Sequence, residues 1–172
     1  MRNDPDRLAE LRRRLILDST QERAYDDLTR LLASGLDVPI ALVNLLDVER
    51  DWFKSKVGLS ATESPAASSF CEVFFDSADD LIVVEDTSAD PRFRTHPLVA
   101  GAPFIRFYAA ARLSVDGQTL GTLCAYDTRP REVSAGQVET LQALAGAAID
   151  LLRQRAGPVA ARVGQASANE PI

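Results

Sequence analysis

At 172 residues the chain has room for one domain with a proper core and not for two comfortable ones. Hydrophobic residues make up 46% and charged residues 26%, ordinary proportions for a globular protein. Lys plus Arg total 19 against 25 Asp plus Glu. The surplus positive charge that grips a phosphate backbone is missing, so nucleic acid is not an expected partner.

The first twenty residues are charged throughout and contain no hydrophobic leader. No apolar run approaches the roughly 18 residues needed to span a bilayer. The expectation is a cytoplasmic protein with no membrane partner. Residues 1–5 read as a flexible N-terminus and residues 6–17 as a short helix, with Leu8, Leu11 and Leu15 on one stripe. STQE at 19–22 has the form of a capping box and opens a second helix, with Tyr25, Leu28, Leu31 and Leu32 turned inward and Gly35 at its stop. Residues 40–46 are apolar on both alternating faces, as in a central strand. A polar turn at 47–51 leads to a neighbouring strand at 52–57, and residues 58–67 read as loop.

SFCE at 69–72 repeats the capping-box pattern and predicts a helix of about two turns. A short strand follows at 81–84. Residues 87–103 hold Pro91, Pro97, Gly101 and Pro103, the signature of an irregular, lid-like segment with at most single helical turns. The firmest local signal is Asp116-Gly117, the type I′ hairpin dipeptide, between strands at 105–115 and 118–127. SAGQ at 134–137 caps a last helix that runs to about Arg155, and Val133 with Val138 supplies its staple. Residues 156–172 lack periodicity and read as a disordered tail. Strands joined by tight turns, with helices at both ends, predict an α+β fold: a central antiparallel sheet of five to six strands, terminal helices on one face, and short helices and loops over a pocket on the other.

Taken together, LILD at 15–18, VPIALV at 38–43, WFKSKVG at 52–58, SFC at 69–71, VED at 84–86, DPRF at 90–93, PLV at 97–99, IRFY at 105–108 and LGTLC at 120–124 with Asp127 resemble the GAF domain family. The form is the one common at the start of bacterial signalling proteins, and the resemblance covers roughly residues 7–155. It implies a six-stranded sheet, a small-molecule pocket under loops, and, in many members, dimerisation through the terminal helices. It names no ligand or cofactor, and members bind molecules as different as cyclic nucleotides and haem. It also implies an output partner, here a signalling protein in trans or a further part of a longer chain.

The chemistry-bearing residues admit two readings each. An unbroken two-residue hairpin puts Arg106 opposite Asp127 and Tyr108 opposite Ala125, so Arg106 either locks the sheet edge or offers a ligand a charged anchor. Asn44 needs partners on a central strand, from a loop backbone or from a ligand. Trp52 and Phe93 are candidates to stack on a ligand, Phe70, Cys71 and Tyr108 to line the pocket, and Asp86 to contact ligand or to cap a turn. Cys71 in the first turn of its helix is reactive or merely packed, and Cys124 looks like core. With one histidine and no paired cysteine spacing, no metal site is expected. The wide apolar stripe of the last helix, Leu141, Leu144, Ala148, Leu151 and Leu152, with Leu8, Leu11 and Leu15, predicts a homodimer interface. Three functions follow: a ligand-responsive signalling module, a ligand-free dimerisation module, and a thiol enzyme resembling free methionine sulfoxide reductases.

Overall fold

A computed structural model describes residues 1–155; the expected tail at 156–172 lies outside the described residues. Six strands form one antiparallel sheet: β1 (Ile40–Leu46), β2 (Arg50–Val57), β3 (Glu63–Pro65), β4 (Leu81–Val84), β5 (Phe107–Val115) and β6 (Gln118–Asp127), in the spatial order β3-β2-β1-β6-β5-β4. Helices α1 (Pro5–Arg13), α2 (Arg23–Leu36) and α5 (Ala135–Gln154) cover one face. The other face carries a 3-10 turn at Phe70–Glu72 running into α3 (Val73–Asp76), the single turn α4 (Pro97–Ala100), and connecting loops. This is the expected α+β arrangement, with β3 a sixth strand in a stretch read as loop.

The sheet separates two apolar layers because side chains alternate across each strand. On β1, Ala41, Val43 and Leu45 face the helices, while Leu42 and Leu46 face the loops. β1 is buried along nearly its whole length, as its two-sided apolar pattern predicts.

Several helix boundaries differ from the sequence reading. α1 starts at a cap in which the Asp4 side chain accepts the Arg7 amide, with Pro5 at the first turn, and it ends at Arg13. Leu15 takes a positive φ of 52° and is 64% exposed, and Ile16 fills the core place expected of it. α2 starts at Arg23 rather than near residue 20, because Ser19 Oγ donates to the Ile16 carbonyl at 2.6 Å instead of capping. It runs past Gly35 to a left-handed Asp37. Leu31 points outward, 57% exposed, while Leu28 and Leu32 are buried. The box at Ser134 forms as expected: Ser134 Oγ accepts the Gln137 amide and Gln137 Oε1 accepts the Ser134 amide.

The hairpin turns at Asp116 (φ 51°) and Gly117 (φ 78°), the two positive values of a type I′ turn. Its register then shifts between Leu113 and Ser114. Phe107, not Arg106, lies opposite Asp127, and Tyr108 opposite Tyr126. Leu120 is the extra residue and turns onto the helix side, away from Cys124 and Tyr126. A second bulge lies between β1 and β2, where Val43 pairs with Ser55 and Asn44 with Phe53, leaving Lys54 over.

The expected dimer stripe is largely consumed within the chain. Leu8, Leu11, Leu141, Ala148 and Leu152 are buried, and Leu144 and Leu151 are half-buried against the same core. α5 packs on β5 and also against α2, so a stripe wider than one face has two covers in its own protomer. Residues 1–5 are not a loose end either, because Arg2 is buried and ion-paired.

Among the described residues no helix is long and apolar enough to cross a membrane.

Candidate functional site

Between the loop layer and the middle of the sheet lies a cavity of about 160 Å³. Its floor is Ile40 and Leu42 from β1, Phe53 from β2 and Tyr126 from β6. Its roof is Phe70 from the 3-10 turn, with Leu98, Pro103 and Ile105 from the proline-bounded segment. That segment is tied down at several points. Arg106 Nη1 donates to the carbonyls of Val99 (2.9 Å) and Ile105 (3.0 Å), and Thr87 Oγ1 donates to Ile105 O at 2.7 Å. The roof is therefore an ordered cover.

One wall is polar. Asn44, on the loop-facing side of β1, and Asp51, at the start of β2, both line the cavity, with Ser69 beside them. Asp51 is 3% exposed and fully engaged. Its Oδ1 accepts from Arg2 Nη2 at 2.9 Å, and its Oδ2 accepts from Asn44 Nδ2 at 3.0 Å and from Ser69 Oγ. Arg2 donates further to Glu72 Oε2 and to the Asp47 carbonyl, both at 2.7 Å. Burial opposes the Arg2 charge, but Asp51 and Glu72 outweigh it and hold its pKa above the ordinary guanidinium value. Asn44 is 1% exposed, and its Oδ1 accepts no hydrogen bond from any described residue. A buried amide oxygen without a donor is costly, and such groups cluster where a partner is missing.

Behind the roof is an aromatic layer. Phe70 stacks on Phe93 with centroids 5.5 Å apart, and lies 4.1 Å from His96 and 5.3 Å from Tyr108. Cys71 Sγ sits 3.1 Å from Thr122 Oγ1, 3.3 Å from Tyr108 OH and 3.5 Å from Asn44 Nδ2. Burial disfavours the Cys71 thiolate, while donation from Cys124, Thr122 and Tyr108 favours it and brings its pKa below that of a free thiol. Burial pushes the Cys124 thiol well up. Both cysteines are 0% exposed.

Of the residues the sequence put forward, Asn44 and Phe70 line the cavity. Cys71, Phe93 and Tyr108 are packed in the layer next to it. The other three lie elsewhere. Trp52 pairs with Leu45 and so faces the helices, and Phe53 takes the cavity side. Asp86 caps its own turn, accepting from the amide and hydroxyl of Ser88. Arg106 fastens the roof, and Asp127 pairs with Arg131 instead. Sequence reasoning missed Arg2, Asp51, Phe53 and Ile105. For Asp51 and Phe53 a signal existed: had the turn been closed at Asp47–Arg50, as the Asp47 amide to Arg50 carbonyl bond closes it, strand alternation would have put both on the Asn44 side. Among the described residues no cluster of His, Cys, Asp and Glu could hold a metal ion.

His96, the chain's single histidine, caps α4 by accepting the Leu98 amide on Nδ1 at 3.0 Å. Burial pushes its pKa below the ordinary 6.5, opposed weakly by the Ser68 backbone. The unfolded chain thus takes up this proton at higher pH than the folded one. Its contribution to stability is complete above 6.5 and is lost as the pH falls from there through the lower folded value. Between about pH 7.5 and about pH 5 the urea midpoint of the wild type should fall further than that of His96→Asn, whose amide oxygen keeps the cap without titrating. Equal falls would sink this account.

Residues 20–149 match the family model described as GAF domain. A cyclic di-GMP phosphodiesterase of Pseudomonas aeruginosa is 37% identical over 117 residues, which is 67% of this chain and 20% of that protein. The chain thus spans about a fifth of the length of the curated relative it matches. Among solved structures, the GAF domain of an Acinetobacter phosphoenolpyruvate-protein phosphotransferase superposes with a TM-score of 0.64 at 17% identity, covering 88% of this chain and 95% of that one. A free methionine-R-sulfoxide reductase from Neisseria meningitidis, in complex with its substrate, gives 0.61 at 18% identity, covering 89% and 94%. At such identities the structural likeness speaks for the fold alone. The family match extends from α2 through most of α5 and takes in all six strands, and on it the chain belongs to the GAF domain family, a signalling and sensory fold.

Proposed function

We propose that this chain is a non-catalytic sensory domain that binds a small organic molecule in the cavity between the sheet and its proline-bounded roof. The observation that carries the reading is a mostly apolar cavity, partly open to solvent, whose wall includes the buried polar cluster of Asn44, Asp51 and Ser69. Few convergent polar groups in an apolar pocket are the usual design of a ligand site. A thiol-enzyme reading is disfavoured because Cys71 and Cys124 are both sealed from solvent, and a nucleophile must meet its substrate. The phosphodiesterase activity in the relative's name is not carried over, since that protein is about five times the matched length.

Thermal unfolding tests the reading against a panel of nucleotides, amino acids, carboxylic acids and phenols. A molecule bound only by the folded state, at a hundredfold excess over its Kd, stabilises by about 2.7 kcal/mol. That raises Tm by roughly 5–10 °C for a domain of this size. Ala61→Trp puts a large ring on the cavity rim from an exposed position and should abolish the shift. A panel that leaves Tm unmoved throughout would overturn the reading.

Pairing of two copies is a second reading, favoured by two exposed leucines on the helical side, Leu15 and Leu31. Sedimentation equilibrium of wild type and Leu31→Glu decides it: a wild-type dimer weakened by the substitution supports the pairing, and a wild-type monomer sinks it.

A further inference from the structure

The geometry points to the β4 edge of the sheet as a docking site for an extended, basic segment of another protein, which adds there as a seventh strand. β4 is the last strand in the spatial order and pairs with β5 alone. Arg112, directly across from Asp80, donates its amide to the Asp80 carbonyl at 2.8 Å. In an antiparallel ladder such exchanges fall on every second residue, so Ile82 and Val84 bond to their partners Ala110 and Tyr108. Leu81 and Val83 then turn their amides and carbonyls outward, away from β5. Among the described residues nothing meets them. The next outward group, the Glu85 carbonyl, is closed off by the Arg131 amide at 3.0 Å.

Open edges are ordinarily blunted within the strand, by proline, by charge or by a bulge. The opposite edge follows that rule, since β3 is three residues long and contains Glu63 and Pro65. β4 does not follow it. Its four residues are Leu-Ile-Val-Val, with no proline, charge or register shift. Leu81 and Val83 are half-buried at the margin of the helix-side core. An added strand therefore gains two apolar neighbours as well as main-chain bonds.

Charge selects the occupant. Asp79, Asp80 and Glu85 are exposed at the two ends of β4. Arg112 and Arg131, whose amides meet this stretch, are paired with Asp80 and Asp127. Asp79 and Glu85 are in no ion pair among the described residues. A second copy of the chain is a poor fit here. Antiparallel pairing of two such edges, Leu81 against Val83, sets Asp79 of each copy against Glu85 of the other, like charges face to face. A segment with an apolar centre and Lys or Arg at both ends meets the same carboxylates with opposite sign. The cavity lining includes no residue of β4, so the two sites stand or fall separately.

The test titrates the full chain with the end-blocked peptide Lys-Lys-Val-Thr-Val-Lys-Lys and with the same peptide carrying Glu for every Lys. The lysine peptide should bind about tenfold more tightly, the ratio that two or more reversed charge pairs sustain, and should slow hydrogen exchange at the Leu81 and Val83 amides. Val83→Pro removes one outward amide and no bond of the β4–β5 ladder, and should weaken the lysine peptide by about fivefold or more. Asp79→Lys with Glu85→Lys, both at exposed positions, should turn the preference to the glutamate peptide, a result that stands even if the proline variant does not fold. Equal binding of the two peptides, binding that leaves the two amides exchanging as before, or binding of neither overturns the inference. Protection of the same amides that rises with protein concentration and no peptide also overturns it, because the edge then belongs to a second copy.

Discussion

Gly121→Ala should destabilise the chain by about 3 kcal/mol or more, lowering Tm by roughly 6–12 °C. Gly121 is buried on β6 opposite Leu45 of β1. A Cβ built there would lie 2.1 Å from the Asn44 carbonyl oxygen and 3.2 Å from the Leu45 Cα. Those atoms are main chain in the middle of the sheet, so no rotamer change can relieve the contact. β1 must move as a strand, and its hydrogen bonds to β2 and β6 must stretch with it. The reason here is close approach of two strands next to a bulge, because Gly121 is not one of the chain's positive-φ glycines. Since Asn44 belongs to the displaced strand, its amide should move relative to Asp51, and any ligand response should weaken beyond what the lost stability explains. Thermal melts and urea titrations of wild type and variant measure the first effect. A variant within about 1 kcal/mol of wild type would mean that the strands have slack the packing does not suggest.

The same bulges mark where the sequence was readable and where it was not. Asp116-Gly117 demands positive φ twice, so the hairpin and the strands around it were legible from two residues. The shift between Leu113 and Ser114 left no trace, because residues 119–126 are apolar or small on both faces and Leu120 is at home on either. Parity along such a strand carries no information, and with it went the expected Arg106–Asp127 pair. Strict alternation along β2 puts Lys54 and Lys56 on one face with Trp52, and lysines on a strand ordinarily reach solvent. Lys54 is instead buried, held by the Thr20 carbonyl, Ser19 Oγ and Glu22, partners some thirty residues away that no local pattern announces. The cavity was legible in part for the same reason. Asn44 is conspicuous as the polar residue of an apolar strand. Arg2 and Asp51 read as solvated charges, because each is buried only in the presence of the other.

That mutual dependence gives the second large effect. Asp51→Ala should cost about 3–5 kcal/mol, the usual result of stranding one half of a buried ion pair. Arg2 is 7% exposed and would keep Glu72, whose side chain is 48% exposed and a weaker counter-charge, together with the Asp47 carbonyl. Asn44 Nδ2 and Ser69 Oγ would lose their acceptor at the same time. Arg2→Ala strands the carboxylate instead and should cost a similar amount. The double variant should then cost clearly less than the sum, since each single change already breaks the shared unit. Simple additivity in urea titrations would mean that the two charges do not depend on each other. The arrangement has a consequence for sensing. The Arg2 carbonyl accepts from Arg7 Nε at 2.8 Å, so α1 is fastened to Arg2, Arg2 to Asp51, and Asp51 to the amide of Asn44, a residue of the cavity wall. A ligand that draws Asn44 toward itself weakens the Asn44–Asp51 bond and loosens the hold on α1. One that leaves the amide in place tightens it. In either case hydrogen-exchange protection of the α1 amides should change when the cavity is filled, and should cease to respond in Asp51→Ala even where the ligand still binds.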